Sequence, residues 1–284
     1  MRYQFIEKQQ KAWPINLMCG VLRVSRSGYY DWASRDLSHH SRSTQDLDRR
    51  IQAIFAEHQQ RYGAPRITTT LHQEGRMCSE NRIARRIRAL NLRAIQAKKF
   101  KVTTDSQHAK PVAPDLLKQD FGAATPNQKW TTDITYVWTD EGWLYLAVVL
   151  DLYSRAIVGW SMNQRMTQHL VCDALTMALF RRHFPTGTIL HSDRGSQYCS
   201  KRYQQLLRHN GLRCSMGHKA NCYDNAVTES FFHTLKVELI HRERYVTRHK
   251  AQSSIFEYIE TYYNRQRRHS AIGYQIPMLF EQAA

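Results

Sequence analysis

No two cysteines in this sequence have CxxC spacing, and no Cys/His ladder has the spacing of a zinc site, although 14 histidines are available. The six that occur, Cys19, Cys78, Cys172, Cys199, Cys214 and Cys222, read as free thiols in a reducing cytoplasm. Long apolar runs are also missing. The longest, "LYLAVVL", is far too short to cross a bilayer, and the opening "MRYQFIEKQQKAWP" has no signal-peptide apolar core. A membrane role is therefore not expected. Internal repeats and low-complexity tracts are absent. Acidic residues are scarce: 24 Asp and Glu stand against 41 Lys and Arg in 284 residues, a net charge of +17. That imbalance exceeds what solubility needs and points to a polyanion, nucleic acid first.

What is present argues for folded domains. The chain is 42% hydrophobic and 11% aromatic, and long enough for one sizeable domain and a smaller one. The basic excess is greater in the first 124 residues, which read as helical. In "NLMCGVLRVSRSGYYDW" an apolar helix gives way at Ser25 to a second segment bearing Arg26. In "RYGAPRITTTLHQEGRMCSENRIARRIRALNLRA" a helix after Pro65 ends near Gly75, and Ser79 can cap a helix with Ile83, Ile87 and Leu90 inward. Its other face carries Arg82, Arg85, Arg86 and Arg88. A charge run is ordinarily a solvated face. Here the excess of arginine over acid within a basic chain favours DNA.

From "AKKFKVTTDSQHAKPVAPD" onward periodicity fades into Lys, Thr, Ser and Pro, a linker composition. Beyond it "KWTTDITYVW", "GWLYLAVVLDLYS" and "AIVGWSM" read as strands, followed by the helix "TQHLVCDALTMALFRRHF", the strand "GTILHSDRG", the helix "KRYQQLLRHNG", the short strand "LRCSM" and a last helix. The order describes an α/β sheet with helices on its faces. The expected divisions are an N-terminal helical segment 1–45, a helix-turn-helix-like DNA-binding domain 46–104, a linker 105–125, a catalytic core 126–240 and a C-terminal helical tail 241–284.

Three acids stand out in the basic chain. Asp133 lies inside an otherwise apolar strand, Asp193 follows a buried strand, and Glu229 is on a helix. Singly, each reads as a strand edge, a turn or helix cap, or half of an ion pair. Together they are harder to dismiss, because an acid beside Trp130 and Ile134 is costly to desolvate unless a cation is supplied. A hard divalent ion such as Mg²⁺ supplies it, and three converging carboxylates would hold one or two ions beside a phosphodiester. On the last helix, His233 and Lys236 share Glu229's side and would point toward DNA.

"TTDITY", "HSDRGSQY" and "DNAVTESFFHTLK", with 35 residues between Asp193 and Glu229, resemble the three signature blocks of DDE transposases and retroviral integrases. The nearest likeness is to the second-reading-frame product of a large group of bacterial two-frame insertion sequences. It extends to "VSRSGYYDW", "RYGAPRI" and the tail "YYNRQRRHSAIGYQIPMLF". The resemblance implies a ribonuclease-H-like core with a mixed five-stranded sheet and flanking helices, preceded by a basic all-α helix-turn-helix-like region. It implies catalysis and metal binding by Asp133, Asp193 and Glu229, with two Mg²⁺ ions for which Mn²⁺ substitutes. Lys236 matches the basic position the family carries there, and the tail's Arg267 and Arg268 are expected at DNA. The implied reaction is cleavage at element ends and in-line strand transfer of the freed 3′-OH. Expected partners are element-end and target DNA, further copies of the chain, and the first-reading-frame product as fusion or partner, all in the bacterial cytoplasm at the nucleoid. A ribonuclease-H-type metal nuclease and a non-catalytic DNA-binding regulator are the competing readings. The basic helical front and the tail "NRQRRH" argue against the first, and the presence of all three acids against the second.

Overall fold

The computed structural model describes residues 1–36, 38–95, 113–217 and 225–284. Much of the expected linker, the start of the third signature block and Cys222 lie outside those residues. The front begins with three short helices, α1 (Arg2–Gln9), α2 (Ile15–Val21) and α3 (Arg26–Ser34), around Ile6, Met18, Cys19 and Tyr29. Ser25 caps α3, its hydroxyl accepting the Gly28 N–H at 3.0 Å. Next come α4 (His39–Glu57), α5 (Ala64–Gln73) and α6 (Glu80–Ala89). Helix α4 runs unbroken across the expected division at 45/46. Gly75, at φ +77°, follows the end of α5, and Ser79 caps α6 by accepting the Arg82 N–H at 3.3 Å. Ile51, Ile54, Ile67, Leu71 and Ile83 close this bundle with no exposed surface. Each such side chain contributes roughly 1.5–3 kcal/mol.

Five strands form one sheet in the order β3-β2-β1-β4-β5: β1 (Lys129–Thr139), β2 (Gly142–Asp151), β3 (Ile157–Asn163), β4 (Ile189–Ser192) and β5 (Arg213–Met216). The first three pair antiparallel, whereas β4 lies parallel to both β1 and β5. The two-residue period of β2 serves two cores. Leu144, Leu146, Val148 and Leu150 join one cluster, while Ala147 and Val149, with Tyr145 packed beside them, join the other. Helix α7 (Gln168–Arg181) covers the second face. It comes so close to β3 that a Cβ at Gly159 would overlap the Ala174 carbonyl and the Ala178 methyl. Between β4 and β5 runs α8 (Lys201–His209), and after them α9 (Ala226–Glu238).

The C-terminal residues complete this core. Helix α10 (Arg248–Glu257) and the π-helical turn that continues it through Tyr263 place Ala251, Ile255, Ile259 and Tyr263 in the first cluster, and α11 (Pro277–Gln282) ends the chain. The later part of the expected linker is also packed. Leu117 is buried in the same cluster, and the Leu116 N–H donates to Ser215 Oγ at 2.8 Å.

A buried ionic network joins bundle, sheet and tail. Glu238, at the end of α9, accepts from Arg267 at 2.8 Å and from the Tyr258 hydroxyl at 2.8 Å, with Arg66 at 3.7 Å. Arg61 of the bundle donates to the Glu238 carbonyl at 3.1 Å and lies 4.2 Å from the Tyr262 ring centre. Arg267 and Arg66, with the Tyr258 hydroxyl, hold the Glu238 carboxyl below its ordinary pKa against the opposing effect of burial. Removing one partner from a buried pair leaves a desolvated charge. Glu238→Ala is therefore expected to lower unfolding stability by about 3–5 kcal/mol, read as a shift in denaturant midpoint, whereas a surface change such as Glu243→Ala shifts it little.

Candidate active site

Strand β1 brings Asp133 to the point where the sheet opens. Its parallel partner β4 pairs only with Lys129, Trp130 and Thr131. Above that, among the described residues, the edge of β1 away from β2 carries no strand, and α9 passes beside it. Two side chains pin α9 there. Thr228 Oγ1 donates to Thr131 Oγ1 at 2.7 Å, and Asn225 Nδ2 donates to the Thr132 carbonyl at 3.3 Å. Glu229, in the first turn of α9, follows the buried Thr228 and is thereby carried to the rim next to Asp133.

Asp193 comes one residue after β4. Its Oδ1 accepts the Gly195 N–H at 2.8 Å, a tight turn in which a Cβ at 195 would lie 2.9 Å from that oxygen. A side chain at 195 would therefore press on that carboxylate and displace it from this turn. Tyr198, fully buried beneath the site, holds Thr132 Oγ1 at 3.3 Å, and its hydroxyl pKa is driven well above 10 by burial and by the charges of Asp133 and Asp193.

The electrostatics tie the three acids together. Burial is the main cause that raises the Asp133 carboxyl well above the ordinary range, followed by the Asp193 charge, with Glu229 adding to it. The Ile134 N–H, 2.8 Å from Oδ1, and Lys236 pull the other way. Glu229 is exposed at the rim, yet partial desolvation still raises its carboxyl. Asp133 and Glu229 therefore carry charge at a cost that a cation would relieve. The donors are all oxygens, a set that suits a hard divalent ion and no soft metal. Among the described residues, however, no three His, Cys, Asp or Glu side chains lie close enough to hold an ion. The acids are within electrostatic reach of one another without forming a closed ligand shell.

The expected cations divide into two groups. Lys236 is half-buried on α9, with Nζ 5.1 Å from the Tyr136 ring centre; burial lowers its pKa and Asp133 raises it. His233 is half-buried one turn after Glu229, but Phe232 on the same stripe is core, so this side of the helix straddles the core boundary. Arg85 and Arg88 are exposed on α6, Arg82 is half-buried, and Arg26 is exposed at the start of α3. The others are engaged elsewhere. Arg86 forms a two-pronged pair with Asp48 at 2.8 and 2.6 Å. Arg267 and Arg268, expected at DNA, are only 5% and 7% exposed. Arg267 is consumed by Glu238, and Arg268 donates to Thr70 Oγ1 at 3.0 Å and to Gln73 and Tyr274. A guanidinium satisfied inside the protein cannot also grip a phosphate.

Sequence reasoning passed over Thr131, Thr228, Asn225 and Gly195, which hold the acids in place. Their one signal is position, since all four lie within a few residues of Asp133, Asp193 or Glu229, while their residue types are ordinary in turns and strand ends.

Residues 123–222 match the model of an integrase core domain, residues 229–284 match a second integrase core domain model, and residues 42–100 match an HTH-like domain. The chain is 51% identical over 283 residues to "Transposase InsF for insertion sequence IS3A" of Escherichia coli K12, covering 99% of this chain and 98% of the relative. It is 46% identical over 265 residues to an insertion element IS600 uncharacterized 31 kDa protein of Shigella sonnei, covering 93% and 97%. Among solved structures, a simian T-cell lymphotropic virus intasome chain aligns over 76% of this chain and 71% of its own, at 17% identity and a TM-score of 0.48. Among the described residues, no helix is long and apolar enough to cross a membrane.

Proposed function

This chain belongs to the insertion-sequence transposase family of the InsF proteins and is a DDE transposase, and on that basis we propose that Asp133, Asp193 and Glu229 are the acids with which it cuts and joins DNA at the ends of its element. The observation that carries the reading is Asp133: a half-buried, desolvated carboxyl on the open stretch of β1, under the charges of Asp193 and Glu229. The three would hold divalent ions, two Mg²⁺ with Mn²⁺ as a substitute. When bound, such ions activate the attacking oxygen and stabilise the leaving 3′ oxygen in an in-line displacement.

The chain's own groups prepare that reaction. Thr228 and Asn225 fix Glu229 against β1, and the Gly195 turn fixes Asp193, so the carboxylates approach from three separate elements. The exposed face of α6 binds the element end, while Lys236 sits beside Asp133, where it would hold the phosphate next to the scissile bond. No nucleophilic Ser, Tyr or Cys is invoked, since water and then the DNA 3′-OH serve as nucleophiles. Further copies of the chain and the first-reading-frame product are the proposed protein partners, acting on DNA in the cytoplasm. The proposed divisions are 39–95 for end reading, which keeps α4 whole, and 113–284 for the reaction, with the tail as part of the catalytic unit.

Incubation with labelled element-end DNA and Mg²⁺ tests this reading. Joined product supports it, cleavage without joining would assign the protein to metal nucleases, and a shifted band alone would make it a regulator. Lys236 is tested in the same assay. Lys236→Ala is expected to weaken functional DNA binding by about 1–2 kcal/mol, the loss of one charge-assisted hydrogen bond, and saturating DNA should restore the rate. Lys236→Arg should recover part of the loss, because a phosphate accepts either cation. A rate unchanged at every DNA concentration would return Lys236 to the solvated surface.

A further inference from the structure

The β1–β2 hairpin carries three large aromatic rings outside every hydrophobic core. Tyr136, Trp138 and Trp143 are 46%, 58% and 43% exposed. Trp138 and Trp143 face each other across the hairpin. The Trp143 ring stands 4.8 Å from Trp138 at 76° and 5.0 Å from Tyr136 at 81°. These edge-to-face contacts make the trio a pre-formed cluster rather than three loose rings.

The cluster borders a cleft of about 610 Å³ between the open edge of β1 and the end of α9, lined by Tyr136, Trp138, Trp143, Lys236 and Arg244 among others. Lys236 belongs to both places: its ammonium lies over Tyr136 and acts on Asp133. The acids at the hairpin tip, and Glu243 beyond α9, are engaged within the protein. Asp140 pairs with Arg244 at 3.2 Å, Glu141 accepts the Arg248 N–H at 2.8 Å, and Glu243 pairs with Lys250 at 3.8 Å. An approaching phosphate chain therefore meets aromatic faces and a lysine rather than a bare acidic rim.

We propose that this cleft is a stacking subsite for an unpaired nucleobase of the DNA strand that passes the three acids. The inference rests on the assignment of Asp133, Asp193 and Glu229 as the reaction centre, because Lys236 connects that centre to the rings. A strand whose phosphate is held by Lys236 has its neighbouring base within reach of Tyr136 and the two tryptophans. Within a duplex both faces of a base are covered by its neighbours, so only a base released from the stack can use an aromatic platform. Any base offers such a face, so the subsite tolerates sequence and selects for an unpaired state.

The test uses the full chain without metal, so that no reaction occurs, and follows tryptophan fluorescence on adding a short oligothymidylate or a duplex of random sequence. Oligothymidylate is expected to quench the wild-type signal. Combining Trp138→Ala with Trp143→Ala should weaken oligothymidylate binding, followed by anisotropy, about tenfold and duplex binding less than about twofold. Trp138→Phe, which keeps a ring, should stay near wild type. An unchanged thermal midpoint shows that the exposed rings were removed without loss of fold. Equal losses for both DNA forms, or none, would overturn the proposal. So would a loss of self-association with oligothymidylate binding intact, which would assign the patch to a second copy of the chain. Joining is not involved in this readout. A failed stacking test with acid-dependent joining refutes the subsite alone, whereas joining that survives loss of the acids refutes the reaction centre.

Discussion

Asp133→Asn, Asp193→Asn and Glu229→Gln are each expected to reduce joined product by more than about a thousandfold, the scale seen when one member of a jointly acting catalytic set is lost. The amide keeps the size and removes the charge, so the backbone contacts to Ile134 and Gly195 can persist. DNA binding measured without metal should stay within a few-fold of wild type or tighten, because deleting a negative charge in a +17 protein does not weaken its direct attraction to phosphate. Folding is also expected to hold. Asp133 is a desolvated acid under like-charge repulsion, so neutralising it removes an unfavourable interaction. A variant more stable than wild type and yet inactive would be the signature of an acid kept for chemistry. Joining at a near-normal rate by any one of the three would remove that residue from the centre.

The second large effect is on end binding. Replacing Arg82, Arg85 and Arg88 together with Ala should lower the slope of log affinity against log salt by about three units, one for each phosphate that no longer meets a guanidinium. Affinity at low salt should fall by orders of magnitude while the acids remain able to join DNA supplied in excess. Arg86 is left out deliberately: its pair with Asp48 is part of the bundle, and Arg86→Ala would act on stability. Deleting the front of the chain is a poorer test. Arg61, Tyr62 and Arg66 are built into the network around Glu238, and removing them would strip partners from the end of α9 and from the tail. An unchanged salt slope in the triple variant would make the α6 arginines ordinary surface.

The parts of this molecule that could be read from its sequence are those in which cause and effect are neighbours. Ser25 and Ser79 cap the helices that follow them, and the cap needs only three residues. Asp133 was conspicuous because an acid between Trp130 and Ile134 contradicts the strand around it. The tail shows the converse. "NRQRRH" reads as a basic surface because nothing local contradicts it, yet Arg267 finds its carboxylate at Glu238, nearly thirty residues back, and Arg268 finds its partners in α5. Composition hid residues 113–125 in the same way: a polar stretch looks like a linker until Leu117 meets the core. The strand order also depends on parallel pairing of β4 with β1 across sixty residues, which local periodicity does not encode. For the candidate site, the three acids stood out in the sequence, whereas the threonines, asparagine and glycine around them did not, since such residues are ordinary in turns and strand ends.

Three carboxylates, from a strand, a turn and a helix, are expected to converge on one metal site when metal and DNA are present. Titration of Mn²⁺ into the protein with element-end DNA, followed by the electron paramagnetic resonance signal of the free ion, measures that convergence without requiring the reaction. The wild-type chain is expected to remove Mn²⁺ from solution saturably, and Asp133→Asn, Asp193→Asn and Glu229→Gln are each expected to weaken that binding while still holding DNA. Titrations of the three variants that superimpose on the wild-type curve would contradict the shared metal site.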